Sequence, residues 1–523
     1  MRHERRNPPH DKEEESRKMA KQRQVIAYTH HAVRRIGGRW MSVDTVSDIL
    51  RSLPYDDMSA IVWCLNPQDM TDVLAMTLRE YSYTEQYRGV PAQGLVSALV
   101  TQDRTCLCVR VRYMQRYACT WLNASMYDTA LSLGDERLDD FLESCLDLDI
   151  SAITPASSAM RMICPGSGYQ QFAADYPRYD AELDLKVRAS ARGGLVWAAT
   201  KGLLHDVVDV DVNSMYPSIV LNEALPYGQP VDDETIAPLD ERYWTVSECL
   251  VLASLKPNGI PAISYSPAGR RGEERLMEAT NGYVPMTLTR EDYAILTGQY
   301  DADIIVERTW GWNVKRAYFA PSMRQLGLLK ERCGNGVARG VLKKLMNACI
   351  GKFAAHEPDR RTDCVPRLDA QGALQYQLIE RHMDYEQGVS SHHYIPLAAA
   401  IWGKARKRLV DDMVAIRGAG GVVPYCNTDG FMIQGMDVSA IGDVLDIGTR
   451  IGQYKIQAQY DDVYIREANL YMGRCADGSR EWAHSGVADI RMPSWDDFVS
   501  GAFLRSREYV RYNGRTLSQS YGL

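Results

Sequence analysis

The clearest alternation of hydrophobic and polar residues lies in the first half of the chain. Valines occupy every second position from Val208 to Val212, and polar residues stand between them and directly after them. A period of two predicts a β-strand with one apolar and one polar face. Pro217 suits the first turn of a helix, so we expect the strand to end in a turn that leads into a helix. Asp211 would then lie at the end of the strand, beside exposed backbone amides.

A second pair of strands is predicted far downstream. Two apolar runs, residues 422–426 and 431–433, flank residues 427–430, whose sequence is Asn-Thr-Asp-Gly. Asn at the start and Gly at the end favour a tight turn with Asp429 at the tip of a hairpin. Such a turn needs no function, and the polar face of the first strand would also suit an ordinary edge strand. Together, however, Asp211 and Asp429 are expected to face each other across two divalent cations, as in-line phosphoryl transfer requires.

A helix is predicted between these segments, over residues 339–353. Its apolar stripe consists of Leu342, Leu345, Met346, Cys349 and Phe353. Another face carries Arg339, Lys343, Asn347 and Gly351, one at every fourth position. A polar row of this kind is usually a solvated face. It is also suited to chemistry, because a glycine lets a base pair approach closely and cations one turn apart can follow the phosphates of a triphosphate.

These segments resemble the motifs of the family B DNA polymerases. Residues 211–218 resemble the first palm motif, D-x-x-S-L-Y-P-S, and residues 343–351 resemble the fingers motif, K-x-x-x-N-S-x-Y-G. Residues 425–430 resemble the second palm motif, Y-x-D-T-D-S, and the three occur in the family's order. Residues 192–194, Arg-Gly-Gly, are similar to the Y-x-G-G segment of the protein-primed branch of small phages and linear plasmids. The resemblance runs from about residue 186 to the C-terminus.

The resemblance implies an α+β fold with the right-hand polymerase arrangement of palm, fingers and thumb. An N-terminal degenerate RNase H-like exonuclease-type domain would precede the hand. The implied segments are a disordered charged leader (1–24), the degenerate exonuclease-like domain (25–185), the first part of the palm (186–240), an insertion resembling the terminal-protein region (241–316), the fingers (317–353), a second insertion with a strand-displacement hairpin (354–395), the second part of the palm (396–455) and the thumb (456–523). Each insertion could alternatively be a plain surface excursion.

The resemblance also implies roles for individual residues. Asp211 and Asp429 would be the catalytic, metal-binding carboxylates, and the Val212 carbonyl would be a further ligand for two Mg²⁺ ions, or for Mn²⁺ in their place. The residues expected to bind the nucleotide are Ser214, Met215, Tyr216, Lys330, Arg339, Lys343, Asn347 and Gly351. Those expected to bind DNA are Arg192, Gly193, Gly194, Arg406, Tyr425, Thr428 and Tyr471.

Two of these roles have a specific physical content. Tyr216 would stack under the sugar and exclude a ribose 2′-OH, which favours deoxynucleotides. Arg406 would grip the primer-template backbone, as phosphate positioning requires. The alternative for Arg406 is that the basic run at residues 404–408 is only the solvated face of a helix.

Several residues depart from the family motifs. Asn427 replaces the first Asp of Y-x-D-T-D-S, which removes one negative charge but keeps an oxygen acceptor, and Gly430 replaces its Ser. Ile350 replaces the Tyr of the fingers motif, and Ala191 replaces the Tyr of Y-x-G-G. Asn469 replaces the Lys of the thumb-side K-x-Y motif. Both metal-binding carboxylates are nevertheless present.

The N-terminal third lacks the acids of a proofreading exonuclease. The predicted strand at residues 24–30 contains no carboxylate, whereas the family has D-x-E there. Asp11 and Glu13 match those letters but stand in the charged leader, and Asn66 and Asp69 resemble the second exonuclease motif, one residue short. A two-metal nuclease without its first acids cannot work by that mechanism, so we predict that proofreading is absent.

Composition and charge leave this interpretation intact. The net charge of −7 argues mildly against a non-specific DNA binder, but a polymerase concentrates its positive charge in a channel. No apolar run has membrane length and no C-x-x-C pair is present among 12 cysteines. We therefore expect no membrane partner and a cytoplasmic location, in a bacterial host if a phage or plasmid encodes the chain. The implied partners are a DNA primer-template, dNTPs and a terminal priming protein.

Two other functions stay open at this point. The departures at Asn427, Ile350 and Asn469 would also suit a catalytically silent polymerase-fold protein that binds DNA or acts in assembly. An active family B polymerase could alternatively start from a nucleic-acid primer, or without any primer.

Overall fold

The structure is a computed structural model. It describes residues 24–51, 59–83, 95–100, 106–113, 117–126, 134–152, 154–166, 168–265, 275–334, 336–355, 360–382, 393–484, 492–502, 510–512 and 515–517. The predicted leader, with Asp11 and Glu13, lies outside the described residues except for Gln24. No helix in these ranges is long and apolar enough to cross a membrane.

The strands follow the alternating segments of the sequence. In chain order they are β1 (Gln24–Thr29), β2 (Ala32–Arg35), β3 (Met41–Ser42), β4 (Ser59–Cys64), β5 (Ser82–Tyr83), β6 (Leu95–Val100), β7 (Cys106–Tyr113), β8 (Tyr117–Asn123), β9 (Val196–Ala198), β10 (Gly202–Val212), β11 (Leu225–Asp232), β12 (Trp244–Leu255), β13 (Ser264–Tyr265), β14 (Arg275–Leu276), β15 (Val284–Thr289), β16 (Tyr300–Lys315), β17 (Arg360–Leu368), β18 (Leu374–His382), β19 (Val422–Asn427), β20 (Gly430–Gln434), β21 (Tyr454–Glu467), β22 (Leu470–Arg474), β23 (Arg480–His484), β24 (Val510–Tyr512) and β25 (Arg515–Leu517).

The helices connect and cover these strands. In chain order they are α1 (Val46–Arg51), α2 (Pro67–Glu80), α3 (Asp135–Asp147), α4 (Pro155–Ile163), α5 (Gly168–Asp175), α6 (Ala181–Ser190), α7 (Met215–Asn222), α8 (Arg290–Gln299), α9 (Ala320–Arg332), α10 (Val337–Phe353), α11 (Ile395–Gly418), α12 (Val438–Val444) and α13 (Trp495–Ser500). The chain divides into two compact units. Unit 1 comprises Met1–Met162, Leu326–Cys349 and His356–Ser390, and unit 2 comprises Ile163–Gln325, Ile350–Ala355 and Ser391–Leu523.

Unit 1 is built on a mixed sheet with the order β3-β2-β1-β4-β8-β7-β6-β5. The central strands β1, β4 and β8 are parallel to one another, and the outer hairpins are antiparallel. Ile26, Val62 and Trp121 are at most 1% exposed, because a central strand of such a sheet is covered on both faces. The predicted strand at residues 24–30 is therefore confirmed as β1, a core strand without a carboxylate.

The predicted second insertion contains a hairpin, as expected. Strands β17 and β18 pair antiparallel from Arg360 to His382. Cys364 lies in the core of unit 1, and Leu374 and Tyr376 pack against that core. The hairpin is thus anchored on the sheet of unit 1 by its apolar residues.

Unit 2 is built on an antiparallel sheet with the order β23-β22-β21-β10-β20-β19-β9. The alternating valines form β10, which pairs with β20 on one side and with β21 on the other. The alternative that this segment is an edge strand is therefore wrong. The two apolar runs around the turn form β19 and β20, which confirms the predicted hairpin. Helix α7 begins at Met215, so Pro217 lies in its first turn as predicted.

The segment predicted as the first insertion supplies three strands of a second sheet in unit 2, whose order is β11-β16-β12-β15; the fourth strand, β11, comes from the predicted first part of the palm. Helix α8 follows β15 and packs against α11. Thr289 caps α8 by accepting a hydrogen bond from the Asp292 amide, and Glu291 and Asp292 are both buried. Two acids of the predicted insertion thus lie in the interior of unit 2.

Some predicted domain borders differ from the structure. Residues 163–185, predicted in the exonuclease-like domain, belong to unit 2, and residues 326–349 of the predicted fingers are counted in unit 1. The first difference has a clear cause, because Phe172 and Tyr176 pack against an aromatic cluster that includes Phe319, Phe353 and Tyr394. The predicted border between palm and thumb falls inside β21, which pairs with β10 along its length.

Candidate active site

Asp211 and Asp429 lie side by side at one end of the sheet of unit 2. Asp211 is paired across the strands with Gly430, the residue that follows Asp429. The amide of Val212 donates a hydrogen bond to the Asp429 carbonyl at 2.8 Å. Two acidic residues that are distant in the sequence are therefore adjacent, one at the end of β10 and the other in the turn that precedes β20, as the sequence predicted.

The turn that carries Asp429 depends on its last residue. A Cβ on Gly430 would stand 2.3 Å from the Val210 carbonyl oxygen, a distance that no side chain tolerates. The glycine at this position, where the family has Ser, is thus required by the close approach of the turn to β10. Thr428 has a φ of +52°, and its hydroxyl donates to Asp429 Oδ1 at 2.9 Å. This hydrogen bond orients the carboxylate.

A lysine outside the family motifs reaches the first carboxylate. Lys455 lies opposite Asp211 on β21, and its Nζ is 2.9 Å from Asp211 Oδ2. The side chains are 40% and 23% exposed, so water screens this ion pair substantially. In the sequence, Lys455 is only an isolated cation within a strand. Whether it meets an acid depends on the register between β21 and β10.

Asp209 is a further acid near this end of β10. It lies two residues before Asp211, and thus on the same face of the strand. Burial raises the pKa of Asp209 to about 8, and the carboxylates of Asp211, Glu481 and Asp429 add to this rise while Lys455 opposes it. At neutral pH the site therefore carries less negative charge than its number of acids indicates.

The predicted Arg-Gly-Gly segment lies against the same end of the sheet. A Cβ on Gly194 would stand 2.9 Å from both the Tyr216 hydroxyl and Thr428 Cγ2. The amide of Thr428 donates to the Leu195 carbonyl at 2.7 Å, and β9 continues the contact by pairing with β19. The structure thus brings Gly194, Tyr216 and Thr428 together, and only glycine leaves room for that contact.

Helix α7 begins next to the site, directly after β10. Strand β10 ends at Val212, and Asn213 links it to Ser214, which is the N-cap of α7 and has a φ of +55°. The first amides of a helix are free of intrahelical partners and favour anions. Met215 is 1% exposed, so its contribution to nucleotide binding would come from its backbone rather than from its side chain.

Two arginines predicted to bind DNA instead make hydrogen bonds within unit 2. Arg406 is 3% exposed, and its guanidinium donates to Asp292 and to the Arg192 and Gly193 carbonyls. Arg192 donates to Asp292 at 3.0 Å and to the carbonyls of Ser264 and Thr287. The predicted grip of Arg406 on the DNA backbone, and its alternative as a solvated face, are both contradicted. A direct DNA contact through the Arg192 side chain is contradicted as well.

Two tyrosines predicted to bind DNA form a pair below the site. Tyr425 is 2% exposed, and its hydroxyl accepts a hydrogen bond from the Asn469 amide at 3.1 Å. Its ring meets that of Tyr471 edge-on, with 5.1 Å between the centroids. Tyr425 is therefore a support for Tyr471, and the DNA contact predicted for its own side chain is contradicted by its burial. Asn469 has a φ of +63°, a conformation that Asn tolerates better than the Lys of the family motif.

Helix α10 has the two faces that its sequence predicts. The five residues of the apolar stripe are each at most 1% exposed, whereas Lys343, Asn347 and Gly351 are exposed. Ile350 is buried, so it packs in the interior and not against a base. Lys330 is also buried, and its backbone carbonyl accepts a hydrogen bond from Arg339 at 3.3 Å; the phosphate contact of its side chain stays a prediction. Lys343 and Asn347 belong to unit 1 and Asp211 to unit 2, so their meeting stays a prediction.

The donor atoms at the end of β10 suit a hard cation. Two carboxylates and the Val212 carbonyl provide oxygen ligands, which Mg²⁺ prefers, and a Mg²⁺ site of this kind normally uses one or two carboxylates with substrate phosphates. Within the described residues, no three His, Cys, Asp or Glu side chains are grouped to hold a metal ion by themselves. The site therefore fits a cation that the nucleotide helps to bind.

Known proteins that resemble this chain are DNA polymerases. Residues 141–399 match the family model described as DNA polymerase type B, organellar and viral. The DNA polymerase of Bacillus phage phi29 is 25% identical over 337 residues, which cover 59% of this chain and 54% of that protein. The DNA polymerase of Streptococcus phage Cp-1 is 24% identical over 160 residues, or 29% of this chain and 28% of that one. The sequence match thus spans about half the length of the phi29 relative.

The fold agrees over a longer stretch. The phi29 DNA polymerase complexed with primer-template DNA and incoming nucleotides has a TM-score of 0.70 and 15% identity, and the match covers 89% of this chain and 92% of that one. An orthorhombic crystal form of the same polymerase has a TM-score of 0.66. The predicted α+β right-hand polymerase fold is confirmed. This chain is thus similar in sequence to the organellar and viral type B DNA polymerases over residues 141–399, and similar in fold to the phi29 DNA polymerase.

Proposed function

We propose that this chain is a template-directed DNA polymerase that adds deoxynucleotides to a primer end. The observation that carries the proposal is the adjacency of Asp211 and Asp429 at the end of the central strand pair. The Gly194–Tyr216–Thr428 contact beside them supports it.

The chain's own residues divide the work of nucleotidyl transfer. Asp211, Asp429 and the Val212 carbonyl would hold two Mg²⁺ ions, or Mn²⁺, which neutralise charge and favour ionisation of the attacking hydroxyl. The hydroxyl gives its proton to water, its oxygen forms a bond to the α-phosphorus of the dNTP, and pyrophosphate leaves with the electron pair of the broken P–O bond. The amides at the start of α7 would bind the triphosphate, and Tyr216 would lie against its sugar; a triphosphate contact by Lys343 of α10 stays a prediction.

Priming by a protein is part of the proposal. The Arg-Gly-Gly segment and the match to the phi29 polymerase support a terminal protein whose hydroxyl accepts the first deoxynucleotide. A nucleic-acid primer, or unprimed initiation, is the alternative. Labelled deoxynucleotide covalently attached to a partner protein would support protein priming, whereas extension of DNA primers alone under all conditions would favour the alternative. We propose that the protein is located in the cytoplasm of a bacterial host.

The absence of proofreading is also proposed. Asp69, the acid closest to an exonuclease motif, is 1% exposed and accepts hydrogen bonds from the His30 amide and Asn66 Nδ2. Its oxygens already have partners within unit 1. A primer with a terminal mismatch should therefore not be trimmed before extension, and efficient release of the mismatched nucleotide would refute this part.

A silent DNA-binding or assembly protein is the second candidate function. The Lys455–Asp211 ion pair and the neutral Asn427 favour it, because both reduce the negative charge available to a metal. Primer extension with Mg²⁺ or Mn²⁺ separates the two candidates. Extension that Asp429→Ala abolishes supports the polymerase; a complete lack of extension, together with unaltered DNA binding in Asp429→Ala, supports the silent protein.

A further inference from the structure

A buried charge network in unit 2 has no place in the two-metal mechanism. The Asp292 side chain is fully buried, and two arginines share its carboxylate. Arg192 Nη1 is 3.0 Å from Asp292 Oδ2, and Arg406 Nη2 is 2.5 Å from Asp292 Oδ1. Burial works to raise the pKa of Asp292, yet Arg406 and Arg192 together lower it, so the carboxylate is ionised.

The network binds the backbone of Arg192 and Gly193. Arg406 Nη1 donates to the Arg192 carbonyl at 2.9 Å and to the Gly193 carbonyl at 2.7 Å. An arginine makes such a fork of hydrogen bonds in one fixed plane, whereas a lysine ammonium does not. Two successive carbonyls bound to one guanidinium nitrogen therefore define the path of the chain into Gly194.

That path leads directly to the reacting end of the sheet. Gly194 is in contact with Tyr216 and Thr428, and the next residue, Leu195, accepts the Thr428 amide hydrogen bond. Thr428 in turn donates to Asp429. A shift of the Gly193 carbonyl would therefore displace the neighbours of both Tyr216 and Asp429.

We propose that Arg406 and Asp292 are positioning residues that hold the Gly193–Gly194 backbone against Tyr216 and Thr428, and thereby set the selectivity for the sugar of the incoming nucleotide. The inference rests on the proposed polymerase function for its kinetic readout. It assigns a role to an acid of α8, in the segment expected only to be an insertion. Arg406 acts through the protein backbone and not through DNA.

The test compares two arginines with the same pattern of contacts. Arg188 binds Asp184 at 2.5 Å and the successive carbonyls of Ala354 and Ala355, so Arg188→Lys is the matched control for Arg406→Lys. The KM and kcat for a dNTP and for its ribonucleotide counterpart are measured on a primed template. Arg406→Lys should raise the dNTP KM and reduce sugar discrimination roughly 10- to 100-fold, the cost of small misplacements near reacting groups. Arg188→Lys should leave the discrimination at the wild-type value.

Two further measurements keep the inference testable whatever the variant does. Gly194→Ala leaves the arginines in place and puts a Cβ against the Tyr216 hydroxyl, so it should reduce discrimination in the same direction. Hydrogen exchange needs no activity: the amide of Thr428, bonded to the Leu195 carbonyl, should lose protection in Arg406→Lys and keep it in Arg188→Lys.

The outcomes separate the inference from the proposed function. Wild-type extension with unchanged discrimination in Arg406→Lys and Gly194→Ala would overturn the inference and leave the polymerase standing. A wild type without extension would overturn the function, and the exchange of the Thr428 amide would then decide whether Arg406 positions this backbone. Equal loss of protection in both lysine variants would mean that the effect is general instability.

Discussion

Unit 1 and unit 2 each have an acid near a position where the polymerase family has metal ligands. The two acids differ in their exposure and in their hydrogen-bond partners. In unit 2, Asp211 is 23% exposed and lies beside Asp429 at the open end of β10. In unit 1, Asp69 is 1% exposed and its oxygens are bound by the His30 amide and by Asn66. A carboxylate is free to bind a cation when its oxygens face solvent next to a second acid. When the protein itself supplies the donors, the acid contributes to stability.

The largest expected effect concerns the acids of unit 2. Asp211→Asn and Asp429→Asn should each reduce primer extension on the order of 10²–10³-fold or more, because charge stabilisation in the transition state is lost. Primer extension under single-turnover conditions, with thermal melting as a check on folding, measures this. Retained extension in either variant would remove the contrast between the two units.

The acid of unit 1 should behave in the opposite way. Asp69→Ala leaves the His30 amide and Asn66 without their acceptor, so it should lower the free energy of unfolding by about 1–3 kcal/mol. Extension per folded molecule should stay unchanged. Denaturant titration gives the first quantity and active-site titration the second; a loss of mismatch excision in this variant would instead give Asp69 a catalytic role.

A smaller effect is expected at Lys455. Lys455→Gln removes the competitor at Asp211, and because a partly exposed ion pair contributes about 0.2–1 kcal/mol, metal affinity should rise about 1.5- to 5-fold. Mn²⁺ binding to the protein without substrate, followed by electron paramagnetic resonance, measures this directly. Lys201→Gln is the control, since it breaks the exposed pair of Lys201 with Glu467 at 2.6 Å. Weaker Mn²⁺ binding in Lys455→Gln would show that the lysine assists the site.

The smallest effect is a pH dependence at Asp292, an acid that is buried like Asp69 but ion-paired. Its pKa in the folded protein lies below the usual value of 3.8, so its contribution to stability is present above pH 3.8 and is lost as the pH falls through the folded pKa. The stability difference between wild type and Asp292→Asn should therefore shrink below about pH 4. Denaturant midpoints between pH 3 and 7 test this, and a difference that grows towards acid pH would contradict the assignment.

Local patterns predicted the parts of the site that lie within single elements. The alternating valines of β10, the tight turn around Asp429 and the two faces of α10 depend on periods of two and 3.6 residues and on turn chemistry, all of which neighbouring residues determine. The motifs then placed Asp211 and Asp429 together. Their adjacency follows from the pairing of β10 with β20, which the structure confirms.

Residues whose environment comes from distant segments were predicted less well. Arg406, Arg192, Tyr425 and Lys330 were assigned to ligands from their chemistry. Arg406, Tyr425 and Lys330 are buried, and Arg192 is only 10% exposed. The acid that engages both arginines, Asp292, stands 114 positions from Arg406 and 100 from Arg192 in the sequence. A one-dimensional pattern gives no sign of such a partner.

Residues a few positions apart specify the strand, turn and helix that carry the candidate chemistry, so these elements can be read from the sequence. Which charges face an open site, and which are neutralised inside the protein, is a property of the folded chain. The reason is that burial and ion pairing depend on the register of distant strands and on the packing of α8 against α11. Lys455 beside Asp211 and Asp292 between two arginines are the two clearest cases.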